Sequence, residues 1–101
     1  MKCVTDFGTY DVTLRKTSYR NNNNLAIALD SPTEGPFATI TVNIHELPEG
    51  YAFVDTNNCP WAEKFIKDHG LGEFANAVGH SGYCTYPLYK FDMEKLAEME
   101  G

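Results

Sequence analysis

The stretch Tyr51-Ala52-Phe53-Val54-Asp55-Thr56-Asn57-Asn58-Cys59-Pro60-Trp61 decides the fold. Four apolar residues read as a short buried strand, and the polar cluster after them reads as a turn. Proline fits the first turn of a helix, where its missing N–H costs nothing, so a helix is expected from Pro60. Asn58 or Cys59 would be its cap, with Asn58 the better acceptor. Trp61, Phe65 and Ile66 fall on one helical face with Ala62, and Gly70 is a left-handed stop after about ten residues. A strand that runs into an amphipathic helix gives an α+β chain, with the helix laid on a sheet.

Upstream, the pattern is that of strands. Tyr10, Val12 and Leu14 alternate with Asp11, Thr13 and Arg15, a run extending toward Tyr19. Asn21-Asn22-Asn23-Asn24 follows, and asparagine tolerates positive φ, so a hairpin loop is expected. Leu25, Ile27 and Leu29 alternate with alanines, leaving a shallow second face suited to close packing or partner contact. Asp30–Pro36 reads as a loop. Ile40, Val42 and Ile44 alternate with Thr39, Thr41 and Asn43 in the clearest strand, its threonines on the exposed face. His45–Gly50 reads as the next loop. Short connections make an antiparallel meander the economical topology.

Downstream, Leu71–Gly82 is glycine-rich and reads as a long loop. Tyr83–Phe91 reads as a last strand, which Pro87 assigns to an edge or a bulge. Asp92 with Lys95 three residues on is half a capping box, opening a short terminal helix with Met93, Leu96, Ala97 and Met99 on its apolar side. The expected architecture is one domain over 1–101: an antiparallel sheet of about five strands, one amphipathic helix packed on it and a short C-terminal helix. Trp61 is expected as a core anchor, at a cost of about 3–5 kcal/mol on truncation to alanine.

The composition bounds the function. The chain has 101 residues, 43% of them apolar, and a net charge of −6. Residues 1–29 hold four cations against two acids, while residues 30–101 hold four lysines against twelve acids. Such a surface repels phosphates, so nucleic-acid binding is not expected, whereas basic proteins would be attracted. Three cysteines, no secretory signal at Met1–Asp6 and no long apolar run imply a cytoplasmic protein with reduced thiols and no membrane span.

Several constellations bear on chemistry. Cys59 near a helix start is a candidate nucleophile, with His80 or His69 as base and Asp55 to orient the imidazole; the commoner role of such a cysteine is a small buried apolar group. Cys59, His69, His80 and Cys84 are candidate metal ligands, although only His80 and Cys84 are closely spaced. Gly70-Leu71-Gly72 and Gly79-His80-Ser81-Gly82 lack the basic residue of a phosphate cradle, and their glycines are read as turn formers. No cofactor fingerprint is read. Asp55, Asn57, Asn58, Tyr83, Tyr86 and Tyr89 are the candidate interaction surface, since tyrosine suits interfaces.

The strings Asn22–Ile27, Ala38–Ile44, Ala52–Trp61 and Ser81–Tyr89 resemble those of a family of small uncharacterised proteins, a domain of unknown function. The family is carried by conjugative transposons, plasmids and phages of Gram-positive gut bacteria. The resemblance spans most of the chain. It implies a cytoplasmic accessory protein of a mobile element and brings no catalytic residues. Three function classes follow: a non-enzymatic module that holds a protein partner, an acidic anti-defence protein that mimics nucleic acid, and a thiol-dependent enzyme using Cys59. Mimicry needs carboxylates in a regular line, and Asp30, Glu34, Glu46 and Glu49 fall in expected loops instead. The first class, not an enzyme, is the reading favoured.

Overall fold

The computed structural model describes residues 1–100. The fold is α+β, with antiparallel strand pairing throughout the sheets and two helices. Among the described residues there are nine short strands in three sheets, where about five in one sheet were expected.

The first sheet is a hairpin of β1 (Lys2–Thr5) and β2 (Gly8–Asp11). The expected continuous run from Tyr10 to Tyr19 therefore breaks at Val12, whose backbone N–H and C=O both bond Met1. The second sheet is a meander of β3 (Thr13–Ser18), β4 (Leu25–Ser31) and β5 (Gly35–Thr39). Asn21–Asn24 forms the β3–β4 turn, with Asn23 at φ 60°. The expected 30–36 loop shrinks to a tight turn, in which the Ser31 hydroxyl accepts from the N–H groups of Thr33 and Glu34. Ala26 and Ala28 are buried like their leucine and isoleucine neighbours. Their register partners Thr17, Arg15 and Thr39 flank them on the same face, so that face is filled from within the sheet.

The expected strand through Ile40–Ile44 is interrupted, and the interruption joins two sheets. Ile40 donates its N–H to Ile27 in β4 and accepts at its carbonyl from Asp55 after β7. Only Thr41–Val42 continues, as β6. Thr41, expected on an exposed face, is buried, because its hydroxyl accepts the Ile27 N–H at 3.2 Å in place of a ladder carbonyl. A buried polar group is tolerated once its bonds are satisfied.

The third sheet has the order β6-β7-β9-β8, from β7 (Tyr51–Val54), β8 (Gly72–Ser81) and β9 (Cys84–Phe91). One expectation fails here and another is narrowed. Gly72–Ser81, inside the expected loop, is a ten-residue strand, and β9 is a central strand, so of the two settings expected for Pro87 the irregular pairing is found and the edge is not. Pro87 is accommodated because it lies opposite the irregularity of β8 between Phe74 and Val78, where Asn76 has φ 58°. Gly72 and Gly79 make no turn. A Cβ at Gly72 would meet the Lys90 carbonyl oxygen at 2.7 Å, and one at Gly79 would meet the Phe53 ring at 2.6 Å. Gly82, at φ 60°, makes the β8–β9 turn.

Helix α1 (Ala62–His69) ends as expected at Gly70, in the left-handed region, with Leu71 N–H bonding the Ile66 carbonyl. Helix α2 (Met93–Met99) begins with Asp92 accepting from the Lys95 N–H at 3.1 Å. The core gathers Ile27, Leu29, Ile40, Val54, Ile66, Leu71 and Leu96, all with at most 1% of their surface exposed. It draws on β4, the Ile40 joint, β7 and both helices. No helix of the described residues is long and apolar enough to cross a membrane.

Candidate functional site: an aromatic recess beside the strand-to-helix junction

The junction after Val54 is held by Asp55. Its carboxylate accepts from the Asn58 N–H at 3.2 Å and from the Asn58 side-chain amide at 2.9 Å, and its carbonyl accepts from Cys59 N–H. Asn58 is therefore clamped to the turn before the helix and is not the cap. The cap position is Trp61, which makes no side-chain capping bond. Pro60 precedes the helix and does not enter its first turn.

Cys59 is buried, its thiol 3.7 Å from the Thr39 carbonyl oxygen. Burial, the nearby Asp55 carboxylate and Cys3 push its pKa up to about 11, and burial does the same for Cys3. A thiolate is thus disfavoured where the nucleophile reading needs one. Neither imidazole serves it as a base. His69 places Nε2 2.7 Å from the Lys2 carbonyl oxygen, and His80 places Nδ1 3.1 Å from the Thr85 hydroxyl on the β8–β9 hairpin. Among the described residues, no group of three or more His, Cys, Asp and Glu side chains is placed to hold a metal ion. Both buried thiols ionise later in the folded chain than in the unfolded one. Stability is therefore expected to fall as pH rises from 9 toward 11, read by denaturant midpoints. Iodoacetamide at neutral pH should modify half-buried Cys84 before Cys59 or Cys3.

The candidate interaction residues divide. Asn57 is exposed, and Tyr83 stands fully exposed at the β8–β9 turn. Tyr86 and Tyr89 are buried and present little surface. The Tyr86 hydroxyl lies beside the Cys84 thiol, which, with burial and Asp55, raises its pKa. Tyr89 donates to Glu63 of α1 at 2.6 Å; burial first, then that carboxylate, raises its pKa too. That bond fastens the helix to the sheet.

The sequence reading missed the largest aromatic grouping. Tyr10 of β2, Phe37 of β5 and Trp61 before α1 lie ring by ring, with centroids 5.3 and 6.0 Å apart. Phe65 and His69 of α1 extend the series at 6.3 and 4.6 Å. Phe7, at the tip of the β1–β2 hairpin, is 91% exposed. Phe7, Tyr10, Phe37 and Trp61 line a recess of about 380 Å³, together with Asp6, Asn58, Cys59 and Pro60. A larger depression of about 670 Å³ is walled by Asn22–Asn24 and Glu46–Gly50. There Asn24 is spent on the fold: it donates to Asn43 Oδ1 and the His45 carbonyl and accepts from Leu47 N–H. The signal available in the sequence was Phe7 itself, an aromatic residue in the turn composition Thr5-Asp6-Phe7-Gly8.

A family described as a domain of unknown function (DUF4313) matches residues 13–101. The chain belongs to that family. No curated protein and no solved structure matches it. The DUF4313 match begins at Thr13, so it takes in Phe37, Cys59 and Trp61. The hairpin that carries Asp6, Phe7 and Tyr10 lies outside the matched residues.

Trp61 is half-buried, stacked on the rim of the core, where a fully buried anchor was expected. The expected cost of Trp61→Ala accordingly drops to about 1–2 kcal/mol, since part of its apolar surface is already in water. A thermal melt that stays cooperative and shifts by a few degrees fits this placement; loss of folding would contradict it.

Proposed function

We propose that this chain is a non-enzymatic protein-interaction module, an accessory protein of a mobile genetic element that works in the cytoplasm. The observation that carries the reading is the recess between the β1–β2 hairpin and the strand-to-helix junction, with Phe7 almost wholly in water. Single exposed apolar residues are ordinary, but Phe7 and Tyr10 on one hairpin beside Phe37 and Trp61 make a contiguous apolar patch. The resemblance to mobile-element proteins supplies the context.

Charge supports a protein partner of basic character. None of the described residues lining the recess is a lysine or arginine, and Asp6 is among them. Lys2, the cation on the same hairpin, is tied to Asp11 at 2.7 Å. The disfavoured Cys59 thiolate weighs against a thiol enzyme. Several acids are engaged singly: Asp30 with Arg15, Asp68 with Lys64, and Glu63 with Tyr89. That supports a solvated acidic surface over a phosphate-like row.

Affinity capture from cells that carry the host element tests the reading. Wild-type protein is expected to retain a partner that the Phe7→Ala, Tyr10→Ala double variant loses, with both folded by thermal melt. Equal retention by the two would remove the recess from the interaction.

A further inference from the structure

We propose that the recess takes an arginine side chain of the partner protein, its guanidinium laid on the rings and bonded to Asp6. This rests on the interaction-module reading and specifies its anchor. The rings of Tyr10, Phe37 and Trp61 are tilted at 50° and 59° to their neighbours, so the recess offers aromatic faces and edges in several orientations. A cation over such faces is attracted by the ring quadrupole. The guanidinium is planar, weakly hydrated and carries five donors, so it can stack on a ring and still bond a carboxylate. Lysine's compact, strongly hydrated ammonium matches that combination less well.

The alternatives fit the walls poorly. An anionic group would meet Asp6 with no cation among the described lining residues. A purely apolar anchor would strip water from the Asp6 carboxylate without replacing its bonds, which is costly. Asp55, behind Cys59, is already bonded to Asn58, so Asp6 is the carboxylate open to a newcomer. Phe7 and Asp6 are adjacent in the hairpin turn, which sets a ring and a charge at the mouth together.

Trp61 is the chain's one tryptophan, so its emission reports on this recess without a label. The full chain is titrated at low ionic strength with the peptide acetyl-Leu-Arg-Leu-amide. Its citrulline and lysine counterparts are run in parallel. A saturable change in Trp61 emission is expected with the arginine peptide. The citrulline peptide, neutral and of nearly the same shape, should bind about two- to five-fold or more weakly. Asp6→Asn and Phe7→Ala, both at exposed positions, should each weaken the arginine peptide by a similar factor, as should added salt. Equal binding of arginine and citrulline peptides would overturn the proposal, since shape alone would then account for it. Equal binding of the lysine peptide would overturn the choice of arginine. No response to any peptide would also overturn it, while the interaction-module reading would still be judged separately by the capture experiment.

Discussion

Ile27→Ala is expected to lower the free energy of unfolding by about 2–5 kcal/mol, the largest loss from any single truncation considered. Ile27 has no exposed surface and sits in β4, the central strand of its sheet. Its backbone is also the joint between sheets: its carbonyl accepts from Ile40 N–H and its N–H donates to the Thr41 hydroxyl. The cavity left by the lost side chain therefore lies at a point bonded to both flanking sheets and has little freedom to collapse. Urea denaturation with an unchanged m-value and a lowered midpoint is the expected result. A loss below about 1 kcal/mol would mean that the site relaxes and that the joint is not rigid.

Gly72→Ala is expected to cost about 1–3 kcal/mol or more, although alanine is the smallest possible addition. The new Cβ would stand 2.7 Å from the Lys90 carbonyl oxygen and 3.0 Å from the Phe91 Cα. Both are backbone atoms of the paired strand, so no side chain can swing aside, and β8 must part from β9 at the Gly72↔Phe91 pair. Gly70 provides the contrast two residues away. It has open space around it, and only its φ of +62° resists a side chain. Gly70→Ala should cost about 1–2 kcal/mol through backbone strain alone and leave the β8–β9 pairing intact. Amide exchange along β9 separates the two cases: faster exchange near Phe91 is expected in Gly72→Ala only. The same exchange pattern in both variants would contradict the steric account.

Local signals were legible in the sequence. The asparagine tract needed only positive φ at one residue, Gly70 needed only an αL conformation, and Asp92 needed only its own next turn; all three hold. Tyr51–Val54 was readable as a strand from its own apolar run. What failed depends on atoms distant in sequence. Gly72 and Gly79 look like turn glycines until Lys90 and Phe53 are seen pressing on them. The strand through Ile40 looks continuous until Thr41 is seen satisfying Ile27, fourteen residues earlier. The polar, glycine-bearing β8 lacks an alternating pattern because much of it is exposed.

The candidate site was half legible. Cys59, Asn58 and Trp61 do line the recess, as members of the junction singled out from the sequence. Tyr10 and Phe37 come to them from strands in two other sheets, and no periodicity connects positions so far apart. The aromatic residues that looked most like a surface, Tyr86 and Tyr89, are buried, Tyr89 with its hydroxyl bonded to Glu63 of α1. Of the three tyrosines Tyr83, Tyr86 and Tyr89, Tyr83 alone stays in water.

The central claim is that the hairpin–junction recess, and not the exposed β8 strand, is where a partner protein sits. Site-specific photocrosslinking in cells that express the chain tests it most directly. A photoreactive phenylalanine analogue is placed at position 7 in one variant and at position 74, exposed on β8, in another. The account predicts one discrete crosslinked protein from position 7 and none from position 74. A discrete adduct from position 74 with none from position 7 would contradict it.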